Sequence, residues 1–175
     1  MRKITALVDH ELNWTQPNAF KSVFELRFGG ELVATLRFPK FLSTLAQAES
    51  EEGCWTFERV GFWKSRIIVR ACGADSDLAV YIHNAWKGGG TLELSGGRKV
   101  AVTANVWKST LEFRTEAGET LIHTVNRGVF RHNMTVQMYR KALQMPELPW
   151  MVMFGLYLAV MSRRDAARHA GAASV

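Results

Sequence analysis

The sequence lacks the short motifs that mark common enzyme and cofactor sites. It contains no GxSxG, HExxH or GxxxxGK[ST] pattern and no strand-linked GxGxxG, so the hydrolase, zinc-protease, P-loop and dinucleotide-binding classes have no local support. His83, His123 and His132 fall on different predicted strands, and a metal site would need three coincidences of strand register. We therefore expect a protein that is not an enzyme and has neither a metal nor an organic cofactor.

Cysteine is scarce, and a secretion signal is missing. Cys54 and Cys72 are the two cysteines; they are too few for a disulfide framework and show no CxxC spacing, so a reducing compartment is the expectation. Asp9 and His10 interrupt the first apolar residues before a signal-peptide core can form. The sequence therefore predicts a cytoplasmic protein.

Negative charge is in deficit, because 22 Lys and Arg residues face 16 Asp and Glu residues and leave a net charge of +6. Such a surplus favours an anionic partner without identifying it. No single predicted element carries a basic stripe with interleaved aromatic residues, so nucleic acid is the least favoured of these partners.

Long hydrophobic runs are absent except at residues 148–161. This run begins near Pro146 and Pro149 and is followed by Ser162-Arg163-Arg164. Prolines at the start and cations at the end are typical of a helix, so we predict one helix over 148–163. Fourteen residues rise about 21 Å, short of the roughly 30 Å hydrocarbon core of a bilayer, so no transmembrane span is expected. A helix without a polar face has to be surrounded by protein. The residues expected in its buried core are Trp150, Phe154, Leu156, Tyr157 and Leu158.

The chain before this helix alternates with a period of two. Its clearest unit is a hairpin in which Phe24, Leu26 and Phe28 face inward before the Gly29-Gly30 turn, and every second residue from Leu32 to Phe38 faces inward after it. We read residues 41–52 as a short helix or a long loop. The predicted strands, of which the first is the weakest, are 4–10, 21–28, 31–38, 54–60, 65–72, 77–84, 91–95, 99–106, 110–114, 120–126 and 129–139.

Eleven consecutive antiparallel strands with one apolar face would leave exposed edges, which closure into a barrel removes. A barrel of this size can hold a helix roughly 10 Å across. The sequence thus predicts a mainly β fold: a closed antiparallel β-barrel of about 11–12 strands around a central hydrophobic C-terminal α-helix. Residues 1–163 are expected to form a single domain, and 164–175 a disordered tail.

This combination resembles the tubby C-terminal-like superfamily, which includes the tubby domain, the phospholipid scramblases and the LURP-one-related proteins. The resemblance lies in the length, the run of hairpins, the turn in Phe113-Arg-Thr-Glu-Ala-Gly-Glu119, and the terminal Pro-Glu-Leu-Pro-Trp-Met-Val-Met-Phe-Gly-Leu-Tyr-Leu segment. It implies that the last helix threads the barrel. It also implies a non-catalytic binding module that recognises anionic, phosphoinositide-like lipid head groups or a protein partner through its outer surface, which would place a cytoplasmic protein at the membrane periphery.

The candidate anion-binding residues are basic. Arg66 and Arg70 share one face of a strand, Arg98-Lys99 opens another strand, and Trp-Lys pairs at 63–64, 86–87 and 107–108 resemble an interfacial belt. A solvated outer barrel face and simple rim packing explain the same residues without any function. The candidates for anion or lipid binding are Arg66, Arg70, Arg98, Lys99, Lys64 and Lys108.

Two alternatives remain open from the sequence. One is a calycin-like carrier or enzyme that holds a small molecule inside the barrel, which requires the 148–163 helix to pack outside. The other is a tail-anchored membrane protein whose terminal helix inserts into the bilayer.

Overall fold

A computed structural model describes residues 1–18, 21–40, 42–61, 65–84, 88–128 and 133–172. Twelve antiparallel strands form a closed barrel in which each strand pairs with its neighbours in sequence and β1 closes the ring against β12. The predicted fold class is therefore confirmed. The strands are β1 Glu11–Thr15, β2 Val23–Phe28, β3 Glu31–Arg37, β4 Ala46–Ser50, β5 Gly53–Val60, β6 Arg66–Ala71, β7 Asp77–His83, β8 Gly89–Leu94, β9 Lys99–Asn105, β10 Thr110–Thr115, β11 Thr120–Asn126 and β12 Asn133–Met138.

The remaining elements among the described residues are three short 3-10 helices and one α-helix. The 3-10 helices are Ile4–Leu7, Ser95–Gly97 and Arg140–Gln144, and the α-helix, α1, is Leu148–Ala172. Residues Leu148 to Tyr157 are all buried, while Leu158 is half-buried and packs against the core. The Phe154 ring stacks on Tyr157 and meets Phe57 and Tyr81 edge-on. The barrel wall therefore encloses the apolar half of α1, as its lack of a polar face predicts.

The antiparallel order sorts the connections between strands into two sets at opposite ends of the barrel. We call the end with the β1–β2, β3–β4, β5–β6, β7–β8, β9–β10 and β11–β12 connections the loop end, and the other end the turn end. α1 begins at the turn end and leaves at the loop end. There the Tyr157 hydroxyl donates to Thr44 O at 2.6 Å and Arg164 Nη1 donates to Ser43 O at 2.8 Å.

The sequence predicted that the helix ends at residue 163, whereas in the structure it continues to Ala172. Three physical causes keep residues 164–172 helical. Arg59 forms a bidentate pair with Asp165 at 3.0 and 2.9 Å, and the Arg164 guanidinium lies 4.1 Å from the Phe38 ring centroid. The following residues are rich in alanine, which has the highest helix propensity.

Two strand assignments from the sequence were wrong. Residues 4–10 form a 3-10 helix and a turn, because the Glu52 carboxylate accepts the Ile4 and Thr5 backbone N–H groups at 2.6 and 3.0 Å. Within residues 41–52, which we read as helix or loop, lies strand β4. Its inward residues are only Ala46 and Ala48, so its apolar alternation is weak, and pairing with β3 and β5 decides its conformation.

The first hairpin carries a bulge that the sequence pattern did not show. Leu26 pairs with Ala34 and Arg27 with Leu32, so Val33 is the extra residue on β3. Val33 is fully buried and Leu32 only half-buried, which reverses the inward assignment at this end of β3. The side chains of Phe24, Leu26, Leu36 and Phe38 face inward as expected.

Cys54 and Cys72 form a disulfide, which the sequence did not predict. The β5–β6 register pairs Trp55 with Ala71 and so sets the two cysteines opposite each other, with their Cα atoms 5.4 Å apart. Their sequence separation of 18 gave no indication of this pairing.

Candidate functional site

Three of the predicted anion-binding cations lie toward the turn end and are paired with carboxylates. Arg70 Nε lies 2.7 Å from Asp77, Lys99 Nζ lies 3.8 Å from Glu93, and Arg98 forms a bidentate pair with Glu147. The hydrogen bond and the charge of Glu147 raise the pKa of Arg98. These pairings partly neutralise the three cations.

The other predicted cations belong to the loop end. Arg66 begins β6 there, and Lys108 lies in the β9–β10 connection; both are exposed, and neither joins an ion pair among the described residues. Lys64 lies outside the described residues, as do Trp63 and the Trp86-Lys87 pair. The structure therefore does not bring the six candidates into one patch.

The β9–β10 connection displays two large apolar side chains in solvent. Trp107 is 99% exposed and Val106 is 84% exposed. The turn is held by Asn105 Oδ1, which accepts the Lys108 backbone N–H at 3.0 Å, and by Ser109, whose φ is +52° and whose N–H donates to Val106 O. A tryptophan with nearly its whole surface in water is the kind of exposure that marks a contact site.

A second apolar side chain protrudes from the β3–β4 connection. Leu42 is 71% exposed, and the exposed Lys40 precedes it. The Ser43 N–H donates to Lys40 O at 3.0 Å, which closes a turn beneath Leu42. Six strands separate this connection from the β9–β10 connection in either direction, so Leu42 and Trp107 lie on opposite sides of the ring.

The two ends of the barrel differ in charge. Each of the six loop-end connections contains at least one Lys or Arg and no Asp or Glu, and among the described residues these cations are Lys21, Lys40, Lys108 and Arg127. Three of the five strand connections at the turn end carry carboxylates, namely Glu51, Glu52, Asp75, Glu116 and Glu119, one carries the cation Arg98, and one is the uncharged Gly29-Gly30. The loop end is therefore positive and the turn end is close to neutral or negative.

The aromatic residues of the connections follow the same division. In sequence, every loop-end connection contains an aromatic residue, whereas the turn-end strand connections contain none. Trp107 is the member of this set that the structure describes as fully exposed. The aromatic residues in the loop-end connections are Phe20, Phe38, Phe41, Phe62, Trp63, Trp86, Trp107 and Phe130.

The C-terminal part of α1 rises from the middle of the loop end. Arg163 Nη2 donates to Gly128 O at 2.5 Å, and burial lowers the pKa of Arg164, whose guanidinium lies over Phe38. Arg168 and His169 beyond them are exposed. The helix thus adds cations to the same end as the basic connections.

A cavity of about 560 Å³ lies between α1 and the barrel wall near the loop end. Its inner surface is mostly apolar and includes Ile67, Leu111, Met134 and Leu158. Its outer surface is polar, with Ser65, His83, Ser109, Ser162 and His169. The cavity therefore changes from apolar to polar along the barrel axis.

Sequence reasoning recognised the Trp-Lys pairs but missed their companions in the β1–β2 and β3–β4 connections. The reason is that strand β4 was not predicted. Antiparallel connections alternate between the two ends of the barrel, so leaving out β4 assigns every later connection to the wrong end relative to β1–β2 and β3–β4. Lys21, Lys40 and Leu42 were therefore not grouped with Trp107. The shared signal, an aromatic residue beside a cation and no carboxylate, was present in the sequence.

The described residues show no site for a metal and no helix for a membrane span. No three His, Cys, Asp or Glu side chains among them lie close enough to hold an ion. Within the same residues, every helix is too short or too polar to cross a bilayer.

Comparison with known proteins establishes the fold and leaves the family open. No protein-family model matches the chain, and no curated protein matches it. The chain is similar to the X-ray structure of an Arabidopsis thaliana protein, AT5G01750. The TM-score is 0.60 at 12% sequence identity, and the match covers 90% of this chain and 94% of that chain. The protein therefore shares the architecture of that structure, a closed barrel with a C-terminal helix.

Proposed function

We propose that this protein is a non-catalytic binding module that docks its loop end on a membrane surface carrying anionic lipids. The observation that carries this proposal is the coincidence, at one end, of exposed apolar side chains and cations that join no ion pair among the described residues. Trp107 and Leu42 protrude on opposite sides of the ring, beside Lys108 and Lys40. An indole suits the interface between lipid and water, and a lysine neutralises lipid phosphate.

The exposed apolar side chains of the loop end are spread around the ring and are not gathered in one groove. A twelve-stranded barrel with about 4.8 Å between strands and a tilt of about 40° is roughly 24 Å across. Apolar contacts at opposite sides of such a ring attach it to one surface at two distant points, with the exposed end of α1 between them. This supports a bilayer as the partner, whereas a protein partner would require a patch that is continuous across the ring.

The expected binding energy comes from several moderate contributions. Half-inserting an indole of 150–250 Å² at about 25 cal/mol per Å² gives about 2 kcal/mol. Each cation near an anionic surface adds about 1 kcal/mol. Trp107 together with Lys21, Lys40 and Lys108 thus gives about 5 kcal/mol, enough for reversible attachment that salt weakens.

Vesicle sedimentation tests the proposal. Binding is expected to rise with the fraction of phosphatidylserine in phosphatidylcholine vesicles and to fall with added salt. Lys108→Gln should weaken binding about fivefold, and Trp107→Ala about thirtyfold. Vesicles with a phosphoinositide at matched surface charge measure whether one head group is preferred.

The matched controls lie at the turn end. Lys99→Gln removes the same charge there, and Leu143→Ala removes an exposed apolar side chain that is 53% accessible. Neither should change vesicle binding. Equal binding to neutral and anionic vesicles, or equal losses from Lys99→Gln and Lys108→Gln, would contradict the proposal.

The side of the membrane is a separate part of the proposal. A negative surface potential is typical of the cytoplasmic leaflet, which supports the cytoplasmic location expected from the sequence. The Cys54–Cys72 bond supports an oxidising compartment instead. Thiol titration of the protein isolated under alkylating conditions decides between them, because a cytoplasmic chain should yield two free thiols.

The fold supports the family resemblance and argues against both alternative functions. Membership of the tubby C-terminal-like superfamily remains a proposal that the barrel, the enclosed helix and the Arabidopsis neighbour support. The calycin-like alternative required α1 outside the barrel, and α1 lies inside it. The tail-anchor alternative required apolar helix residues to face lipid, and the barrel already covers them.

A further inference from the structure

The cavity beside α1 exists because one face of the helix carries only small side chains. Gly155, Ala159, Ser162 and Ala166 follow each other at spacings of three and four residues and so share one face. Ala159, Ser162 and Ala166 line the cavity. The closest strand contacts of α1 are with β3, β4, β5 and β11, which leaves space between Ala159, Ser162 and Ala166 and the loop-end parts of β6, β7 and β10.

Tyr81 places a polar atom in the inner part of this cavity. The side chain is only 4% exposed, it lines the cavity, and its hydroxyl has no hydrogen-bond partner among the described residues. Burial raises the pKa of Tyr81 to about 12, so the hydroxyl remains protonated at neutral pH and can donate a hydrogen bond. A hydroxyl without a protein partner that lines a cavity is available to pair with a ligand that enters it.

The mouth of the cavity can hold an anionic group. Ser109 and Ser162 offer hydroxyl donors, and His83 and His169 offer ring nitrogens. Arg163 also lines the cavity, while the charge of Arg59 is balanced by Asp165. The volume of about 560 Å³ lies within the range of small-molecule sites, about 300–1,000 Å³.

From this arrangement we propose that the cavity binds a medium-chain fatty acid whose chain carries a hydroxyl or carbonyl group. The carboxylate lies at the polar mouth, the chain contacts Ile67, Leu111, Met134 and Leu158, and the chain oxygen hydrogen-bonds to the Tyr81 hydroxyl. This ligand shares the barrel interior with α1, unlike the calycin-type arrangement, which needs the interior free of the helix. The site goes beyond the membrane docking proposed above and does not depend on it.

Calorimetric titration of the full chain without vesicles, at concentrations below micelle formation, tests the inference. The probes are decanoate and its ω-hydroxy derivative. We expect the hydroxy acid to bind about fivefold more tightly, the equivalent of one net hydrogen bond. Shortening the chain should weaken binding about fourfold per methylene. Tyr81→Phe should abolish or reverse the preference for the hydroxy acid while both acids still bind.

Filling the cavity separates specific binding from binding elsewhere. Ala159→Phe directs a ring into the cavity and should reduce the affinity for both acids more than tenfold. Ser162→Phe, at the exposed mouth, serves the same purpose if the deeper variant does not fold. Ala167→Phe is the matched control, because Ala167 is exposed on α1 and does not line the cavity; it should bind like the wild type.

The inference is overturned if neither acid binds the wild-type chain. It is also overturned if both filled variants bind as the wild type does, or if Tyr81→Phe leaves the preference unchanged. Trp107→Ala and Lys108→Gln should retain fatty-acid binding. Loss of vesicle binding therefore contradicts only the membrane proposal, and loss of fatty-acid binding contradicts only this one.

Discussion

Replacing Gly155 by alanine should stabilise the protein, although Gly155 lies in the enclosed part of α1. A Cβ added at this position would lie 3.4 Å from Phe113 Cε2 and 3.8 Å from Leu111 Cδ2, which are ordinary van der Waals distances. Alanine is about 1 kcal/mol more favourable than glycine inside a helix. We therefore expect the free energy of unfolding to rise by about 1 kcal/mol.

A larger residue at the same position should have the opposite effect. The space beyond the Cβ is occupied by the Phe113 ring, so a longer side chain has to displace it, which costs about 1–3 kcal/mol. An arginine adds a charge without a partner in the apolar interior, at several kcal/mol more. Gly155→Arg is therefore expected to prevent folding of the barrel.

Thermal and urea unfolding of the purified variants measure both effects. For a chain of this length 1 kcal/mol corresponds to about 2–4 °C in Tm. Gly171→Ala is the control: a Cβ there would touch nothing within 4 Å, and the exposed last turn should gain less than about 0.5 kcal/mol. A Tm lowered by Gly155→Ala would mean that α1 lies closer to β10 than described. A native melting transition for Gly155→Arg would refute enclosure of the helix.

Three further predictions concern stability. Deletion from Pro149 onward removes the partner of the inward barrel faces and should leave a chain without a cooperative melting transition; retained solubility with a native transition would contradict the central-helix fold. Changing Cys54 and Cys72 to serine opens a loop of 18 residues and should lower the free energy of unfolding by about 3 kcal/mol, as measured in urea against the oxidised wild type. The free energy of unfolding should fall as the pH rises from the unfolded tyrosine pKa near 10 to the folded Tyr81 pKa of about 12, by up to about 1.4 kcal/mol per pH unit. Tyr81→Phe should remove that part of the decrease, and an unchanged alkaline profile would contradict it.

Much of the fold follows from local patterns that the sequence displays. The Gly29-Gly30 turn and the alternation around it defined the first hairpin, and Val100 and Val102 face inward as their phase requires. The patterns fail where pairing outweighs local preference. Strand β4 offers two inward alanines, and the Val33 bulge reverses the faces within β3, so neither can be read from residue types alone.

The candidate site was predictable only in part, for a reason of topology. Trp63, Trp86 and Trp107 each precede a lysine in a connection between strands. Two strands separate each of these connections from the next, so all three fall at the same end of the barrel whether or not β4 is counted. Lys40 and Leu42 join that end only once β4 is counted. Arg70, Arg98 and Lys99 leave the set because they lie toward the other end and face carboxylates.

By itself, the sequence determined that residues 148–161 form an enclosed helix and that alternating strands surround it. A helix without a polar face needs protein on every side, and a pleated strand assigns each residue to a face. The tertiary structure decided which connections share an end, which cysteines are opposed, and where the helix leaves a cavity. These three features depend on the number of strands and on their register. Both are set by contacts between residues that are distant in sequence, so a local sequence pattern does not contain them.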